Sequence, residues 1–273
     1  MKTRRSSLLV IGVLLVLVAC NVPSTSNSIA TQGNPTSAPT QSTSIPATQI
    51  IPTIQSTPTT SSACANQYFP STPGATWTYA NTSPQAPPST TVRTLTGITA
   101  SGLVTHDVTT GDIQVDIKWS CKDGALAMLE EDSVSTITAG NLNFEIGSVK
   151  ASGYLLPAAL KAGQTWSETL EIASNGYIDG AHKAIQSNET QIDCTANGQE
   201  SVKVASGSFN AFKVTCVYTI TSTTDIDGET TPAKPVTNTI TITDWYVSGV
   251  GSAKTEKTGD ITETKELTIY SIP

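Results

Sequence analysis

The chain has 273 residues, of which 37% are hydrophobic and only 14% charged, and carries a formal net charge of -7. An acidic balance of this kind argues against nucleic acid or anionic lipid headgroups as partners. It selects no particular partner, because acidity is also an ordinary route to solubility.

In chain order the first element is a leader. Lys2, Arg4 and Arg5 precede an apolar stretch from Leu8 to Val18, which is followed by Ala19 and Cys20. That layout predicts an export signal over 1–19. The stretch falls short of the roughly 20 apolar residues that a membrane-spanning helix needs. Leu17-Val18-Ala19-Cys20 resembles the lipobox of bacterial lipoproteins, which implies cleavage before Cys20 and lipid attachment to its sulfur. The expected location is therefore the outer face of a bacterial membrane, with the membrane itself as a partner through the lipid. Loss of residues 1–19 removes three of the 15 basic residues and no acidic one, leaving 12 against 22, a net charge near -10.

Residues 20–62 are expected to form a disordered tether. Asn21 to Ser62 has no charged residue, six prolines, and 19 Ser or Thr among its 42 residues. Such a stretch cannot bury enough apolar surface to offset its conformational entropy. As a flexible coil it would reach about 35 Å, and further where proline extends it. Its composition also suits O-linked sugars.

The remainder, 63–273, reads as one all-β domain. Short alternating runs rich in Thr and β-branched residues predict strands at Thr90–Thr96, Val104–Thr109, Ile113–Cys121, Ala125–Glu130, Thr165–Ile172 and Ala184–Cys194. Further strands are expected at Ser201–Ala205, Phe212–Thr223, Asn238–Val247 and Ile261–Ile272. Only Leu155–Ala162 looks helical, and Pro157 limits it to a short turn. Alternation over Ile113 to Trp119 puts Ile113, Val115, Ile117 and Trp119 on one face and Gln114, Asp116 and Lys118 on the other. About ten such strands must curl to cover their apolar faces, so a curled antiparallel sheet is expected, as a sandwich or an open barrel. Gly74-Ala75-Thr76-Trp77 is echoed by Gly163-Gln164-Thr165-Trp166, which raises the possibility of two related half-sheets.

Once Cys20 is assigned to the lipid, four cysteines remain, and an even number in an exported domain predicts two disulfides. Sequence proximity favours Cys194 with Cys216, which leaves Cys64 with Cys121. No Cys-x-x-Cys spacing exists, and His106 and His182 stand apart, so no metal site or cofactor is expected. Glu130-Glu131-Asp132 and Asp225-Ile226-Asp227-Gly228-Glu229 read as solvated turns; the second lacks the later glutamate of a calcium loop. No Gly-x-Ser-x-Gly elbow, zinc-protease helix or phosphate loop is present, and no catalytic residue is assigned.

Three stretches carry a family likeness: Cys64 to Pro70 with Pro73 to Tyr79, Val202 to Phe212, and Trp245 to Lys254. Together they resemble the TapB/DUF3108-like group of bacterial envelope proteins. That resemblance implies an all-β domain of curled antiparallel sheet and brings no established reaction. Gly207 and Gly249 are expected at turns, with Phe209, Phe212, Trp245 and Tyr246 packing beside them or offering a stacking platform for sugar or lipid. The function expected is a non-enzymatic binding or structural module of the envelope, its partner a glycan, a lipid or an envelope protein. A carrier with an apolar β cavity is the alternative, and an extracytoplasmic hydrolase comes last.

Overall fold

The computed structural model describes residues 63–111, 113–128, 136–139, 142–178, 182–226 and 234–273. The leader, Cys20, the tether, the run Glu130-Glu131-Asp132, and Asp227 with Glu229 lie outside the described residues.

Thirteen antiparallel strands form one sheet: β1 (Thr76–Ser83), β2 (Ala86–Ile98), β3 (Gly102–Thr109), β4 (Ile113–Lys122), β5 (Ala125–Met128), β6 (Thr136–Ala139) and β7 (Leu142–Gly153), then β8 (Thr165–Ile178), β9 (His182–Val204), β10 (Gly207–Ile226), β11 (Val236–Val247), β12 (Gly251–Gly259) and β13 (Glu263–Ser271). Neighbours run β3-β2-β1-β13-β12-β11-β10-β9-β8-β7-β6-β4-β5, and β3 also pairs with β4. That last pairing bends the sheet back onto itself, so the curled sheet is barrel-like and not a two-layer sandwich. β5 and β6 share one side of β4, the former against Trp119–Lys122 and the latter against Gln114 and Val115. Closure pairs edges that would otherwise be free to recruit other chains.

The inward face follows from alternation. On β2 it holds Thr91 and Leu95, on β3 Leu103, Thr105, Asp107 and Thr109, and on β10 Val214, Cys216, Tyr218, Ile220 and Ser222, all buried. The expected face of β4 pairs accordingly: Val115, Ile117 and Trp119 stand opposite inward-facing Asp107, Thr105 and Leu103.

Residues 184–194 and 201–204, expected within separate strands, are parts of the single 23-residue β9, and Ala205 lies in the turn that follows it. The polar segment between them stays extended because β10 pairs along it, with one register shift at Lys213/Val214. Strands β1, β6, β7 and β12 were not expected. Ladder partners on both sides hold β1, which alternates over Thr76–Asn81, and β12, whose local sequence alternates weakly.

Leu155–Ala162 forms no helix, and no helix occurs among the described residues. Leu126 instead donates to the Leu156 carbonyl at 2.8 Å, and Leu155 and Leu156 donate to the Leu126 carbonyl. Leu156 and Leu160 are buried by this arrangement. Long-range backbone pairing and burial outweigh a weak local propensity that Pro157 already undermines.

The two echoed tetrapeptides take the same local structure. Gly74 and Gly163 have φ of 82° and 79°, a left-handed conformation that glycine adopts without steric cost. Gly74 donates to the Leu95 carbonyl and Gly163 to that of Ala196, while Leu95 and Ala196 donate back to Ala75 and Gln164. Trp77 and Trp166, two residues into β1 and β8, are both buried and donate to the carbonyls of Val250 and Leu155.

The segment leading into β1 packs against one end of the sheet. Cys64 is joined to Cys121, and the Asp123-Gly124 hairpin turn beyond it has positive φ at both residues, as a two-residue turn of this kind requires. Buried Asn66 donates through Nδ2 to the carbonyls of Gly124 at 2.7 Å and Pro157 at 3.0 Å, and its Oδ1 accepts from the Tyr68 amide. Tyr68 then meets Phe212 and Tyr246 edge-on, and Phe69 packs against Trp77 and Trp119. Asn66→Ala leaves two buried carbonyls without that donor, and urea unfolding of the full chain should show a loss of about 2 kcal/mol. An unchanged midpoint would mean that the disulfide alone holds the segment.

Candidate functional site

Behind this segment the sheet encloses a recess of about 220 Å³. Phe69, Trp77, Trp119, Leu126, Leu155 and Leu156 form its apolar side, and Tyr79, Arg93, Tyr218, Asp244, Tyr246 and Lys265 bring polar groups to it. It is larger than the roughly 150 Å³ apolar cavity that can hold a benzene ring. It is smaller than the roughly 300–1,000 Å³ of most drug-sized ligand sites.

Three charge groupings can be traced from their strands. Arg93 of β2 stands one residue off the Thr94–His106 pair, facing Asp107 of β3 in register. Its Nε and Nη2 donate to the two carboxylate oxygens of Asp107 at 2.8 and 2.6 Å. Burial would push the Asp107 carboxyl up, but the guanidinium outweighs it and holds the group below the usual carboxylate range. Lys257 of β12 is paired with Glu263 of β13 at 2.5 Å. Asp244 of β11 accepts through Oδ1 from Ser252 and Thr255, at 3.2 and 2.5 Å; its burial, only partly offset by these hydroxyls, raises its pKa.

Lys265 of β13 differs from the other bases. Among the described residues its ammonium has no ion pair or hydrogen bond, and it lies 4.3 Å from the centre of the Tyr79 ring. Burial first, and Arg93 second, pull its pKa from 10.5 down to about 8. Burial likewise raises the phenols of Tyr79, Tyr218 and Tyr246, so all three stay protonated at neutral pH.

The four aromatics expected near turns do not form one platform. Tyr246 lines the recess and buried Phe212 packs on Tyr68. Trp245, the next residue along the strand from Tyr246, points to the opposite face. There it donates to Glu200 at 2.6 Å and has Lys213 and Lys254 at 5.2 and 5.4 Å from its ring centre. Phe209 meets Tyr270 edge-on. Gly207 and Gly249 both have positive φ, Gly207 at the start of β10 and Gly249 between β11 and β12.

Cys194 and Cys216, direct partners across β9 and β10, are joined, as are Cys64 and Cys121. His106 pairs with Asp116 on the partly exposed face of β3 and β4, away from the recess. His182 is placed in β9, far along the chain from His106. Asp225 is exposed near the end of β10. No grouping of three metal-ligating side chains occurs among the described residues.

The sequence assigns Arg93, Tyr218, Asp244 and Lys265 to no site, and it marks Tyr79 only as part of the family likeness. A signal for two of them existed: Arg93 shares parity with Leu95 in β2, and Lys265 with Leu267 in β13, and both leucines are buried. A base in phase with a core leucine points inward.

No curated protein matches the chain. Among solved structures, a candidate exported protein with a YmcC-like fold from Bacteroides fragilis superposes with a TM-score of 0.47 at 14% identity, covering 76% of this chain and 99% of that one. A candidate lipoprotein from Parabacteroides distasonis gives 0.40 at 14%, with 76% and 99% covered. The hypothetical lipoprotein YmcC of Escherichia coli gives 0.36 at 14%, with 76% and 88% covered. The profile of the DUF3108-like family matches residues 96–266, which span β3 to the first part of β13 and every strand between them. On that match, over more than half of its length, this chain belongs to the DUF3108-like family.

Proposed function

We propose that the protein is an exported, lipid-anchored binding module of the bacterial envelope, which holds a small ligand inside its barrel and performs no chemistry on it. The observation that carries this reading is the recess, where an unpaired lysine and three protonated tyrosines share walls with Trp77, Trp119 and Phe69. Folding gains little from a half-buried ammonium that has no ion pair or hydrogen bond among the described residues; a ligand or ordered water completes it. The size of the recess favours a compact group over a lipid with two acyl chains. Cys20 and the tether fit the anchoring role, because two or more acyl chains hold a protein firmly to a bilayer.

Two experiments test this reading. Cys20→Ser should abolish palmitate labelling and move the protein out of the membrane fraction; labelling that persists contradicts the anchor. Full-length protein in detergent should melt at a higher temperature when a small-molecule extract of its own envelope is added, because a ligand that binds only the folded state stabilises it. No shift at any extract concentration would contradict the binding role.

A further inference from the structure

The groups around the recess differ in what they still lack. Arg93 and Asp107 satisfy each other through two bonds, and Lys257 and Glu263 satisfy each other through one. Asp244 Oδ1 takes two hydroxyl donors, which leaves Oδ2 open. Lys265 Nζ has three hydrogens and no acceptor, and the hydroxyls of Tyr218 and Tyr246 have no hydrogen-bond partner among the described residues. None of these open atoms is sealed off from a water-sized molecule. The wall therefore offers one strong donor, one strong acceptor and two hydroxyls that can act either way.

Net charge decides between ligand classes. The charged groups lining the recess, with their direct ion-pair partners, are Arg93, Lys257 and Lys265 against Asp107, Asp244 and Glu263. Three positive and three negative charges cancel. Glu168 of β8, which couples to Tyr218, is not part of the wall. An anion drawn to Lys265 meets Asp244, and a cation drawn to Asp244 meets Arg93, Lys257 and Lys265. A zwitterion would answer both open charges, but it needs two full charges desolvated where burial already drives Asp244 and Lys265 towards their neutral forms. A neutral ring bearing several hydroxyls avoids each conflict. Its hydroxyls donate to Asp244 and accept from Lys265, and its C–H face, weakly positive, suits the electron-rich face of Trp119, which is partly exposed where Trp77 and Phe69 are buried.

We infer that the recess is a saccharide subsite that takes one neutral hexose-sized ring, with Lys265 and Asp244 bridged by its hydroxyls and the aromatic side under its C–H face. This assignment rests on the binding role proposed above and names its ligand class. The ring could be a free sugar or the terminal unit of a glycan.

Saturation-transfer NMR on the full-length protein in detergent tests it, because that method detects weak binding. The probes are the methyl glycosides of glucose, galactose and mannose, the disaccharides maltose, lactose and cellobiose, and the charged comparators glucuronate, glucosamine, benzoate and phenylalanine. At least one neutral glycoside should bind, at least tenfold tighter than its charged comparators. Binding by disaccharides as well points to a glycan terminus, and binding by monosaccharides alone to a free sugar. Lys265→Met and Tyr218→Phe should each weaken binding about tenfold while the melting curve stays cooperative, so that the two variants guard against a folding defect in either. Tighter binding of benzoate, glucuronate, glucosamine or phenylalanine would overturn the assignment to a neutral saccharide and leave the binding role intact. Failure of every probe would also overturn it; whether an envelope extract still raises the melting temperature then decides the binding role separately.

Discussion

Replacing Cys64 and Cys121 together with alanine should destabilise the domain by about 4 kcal/mol. The bond spans 57 residues, and in the chain-entropy account a crosslink restricts the unfolded chain more as the loop lengthens. Cys194 and Cys216 are only 22 apart, for which the same account gives about 3 kcal/mol. A structural difference adds to the entropic one. The second bond lies within the long β9–β10 ladder, which holds those strands in register without it. The first holds a segment that lies outside the named strands, and Phe69 on that segment forms part of the recess wall. Urea unfolding of the two double variants in the full chain measures both. The Cys64/Cys121 variant should show the lower midpoint and lose its ligand-induced melting shift, whereas the Cys194/Cys216 variant should keep that shift. Equal midpoints with equal ligand responses would contradict the role given to the leading segment.

Lys265→Met should stabilise the protein at pH 7 by about 2 kcal/mol, against the usual direction for a substitution. In the folded state the lysine has a pKa of about 8, against 10.5 without the barrel around it. The unfolded chain therefore holds the proton more tightly between these values, and folding carries the full penalty below pH 8. That gap corresponds to about 3 kcal/mol. Loss of the contact with the Tyr79 ring returns about 1 kcal/mol of it. The advantage of the variant should shrink as pH rises from 8 towards 10.5, where wild-type Lys265 becomes neutral in both states. Urea midpoints of both proteins from pH 6 to 10 test this, since groups common to the two cancel in the difference. A variant less stable at pH 7, or a pH-independent difference, would contradict the description of Lys265 as a partly desolvated cation with no ion pair among the described residues. A group that costs stability is expected where function needs it.

Much of the architecture follows from local pattern. Thr-rich alternation marks β3, β4 and most of β8, β10 and β11, since a half-buried strand must alternate. Alternation is silent about closure, however. The β3–β4 hairpin closes the ring, and whether neighbours in sequence end one sheet or join its two ends depends on β6 reaching β4, a contact between distant residues. Weakly patterned strands such as β12, Gly251 to Gly259, take their conformation from the neighbours on either side. Leu155–Ala162 shows the same effect in reverse, as pairing with Leu126 displaces a local turn.

The recess was less legible, for a physical reason. Its polar residues come from β1, β2, β10, β11, β12 and β13, one to three from each, so no short motif contains them. Only the parity of Arg93 and Lys265 with core leucines hints that they face inward. Tyr246 drew notice as one of four aromatics near turns, yet its neighbour Trp245 serves the other face of the sheet.

The central claim is that the barrel holds a small molecule beside Lys265. Native mass spectrometry of the full-length protein, released in mild detergent from its own membrane, tests it most directly. Wild-type protein should carry added mass that collisional activation removes as a neutral species, and Lys265→Met protein, equally folded, should have lost most of it. Wild-type protein found bare under conditions that preserve the fold, or an identical adduct on both proteins, would contradict it.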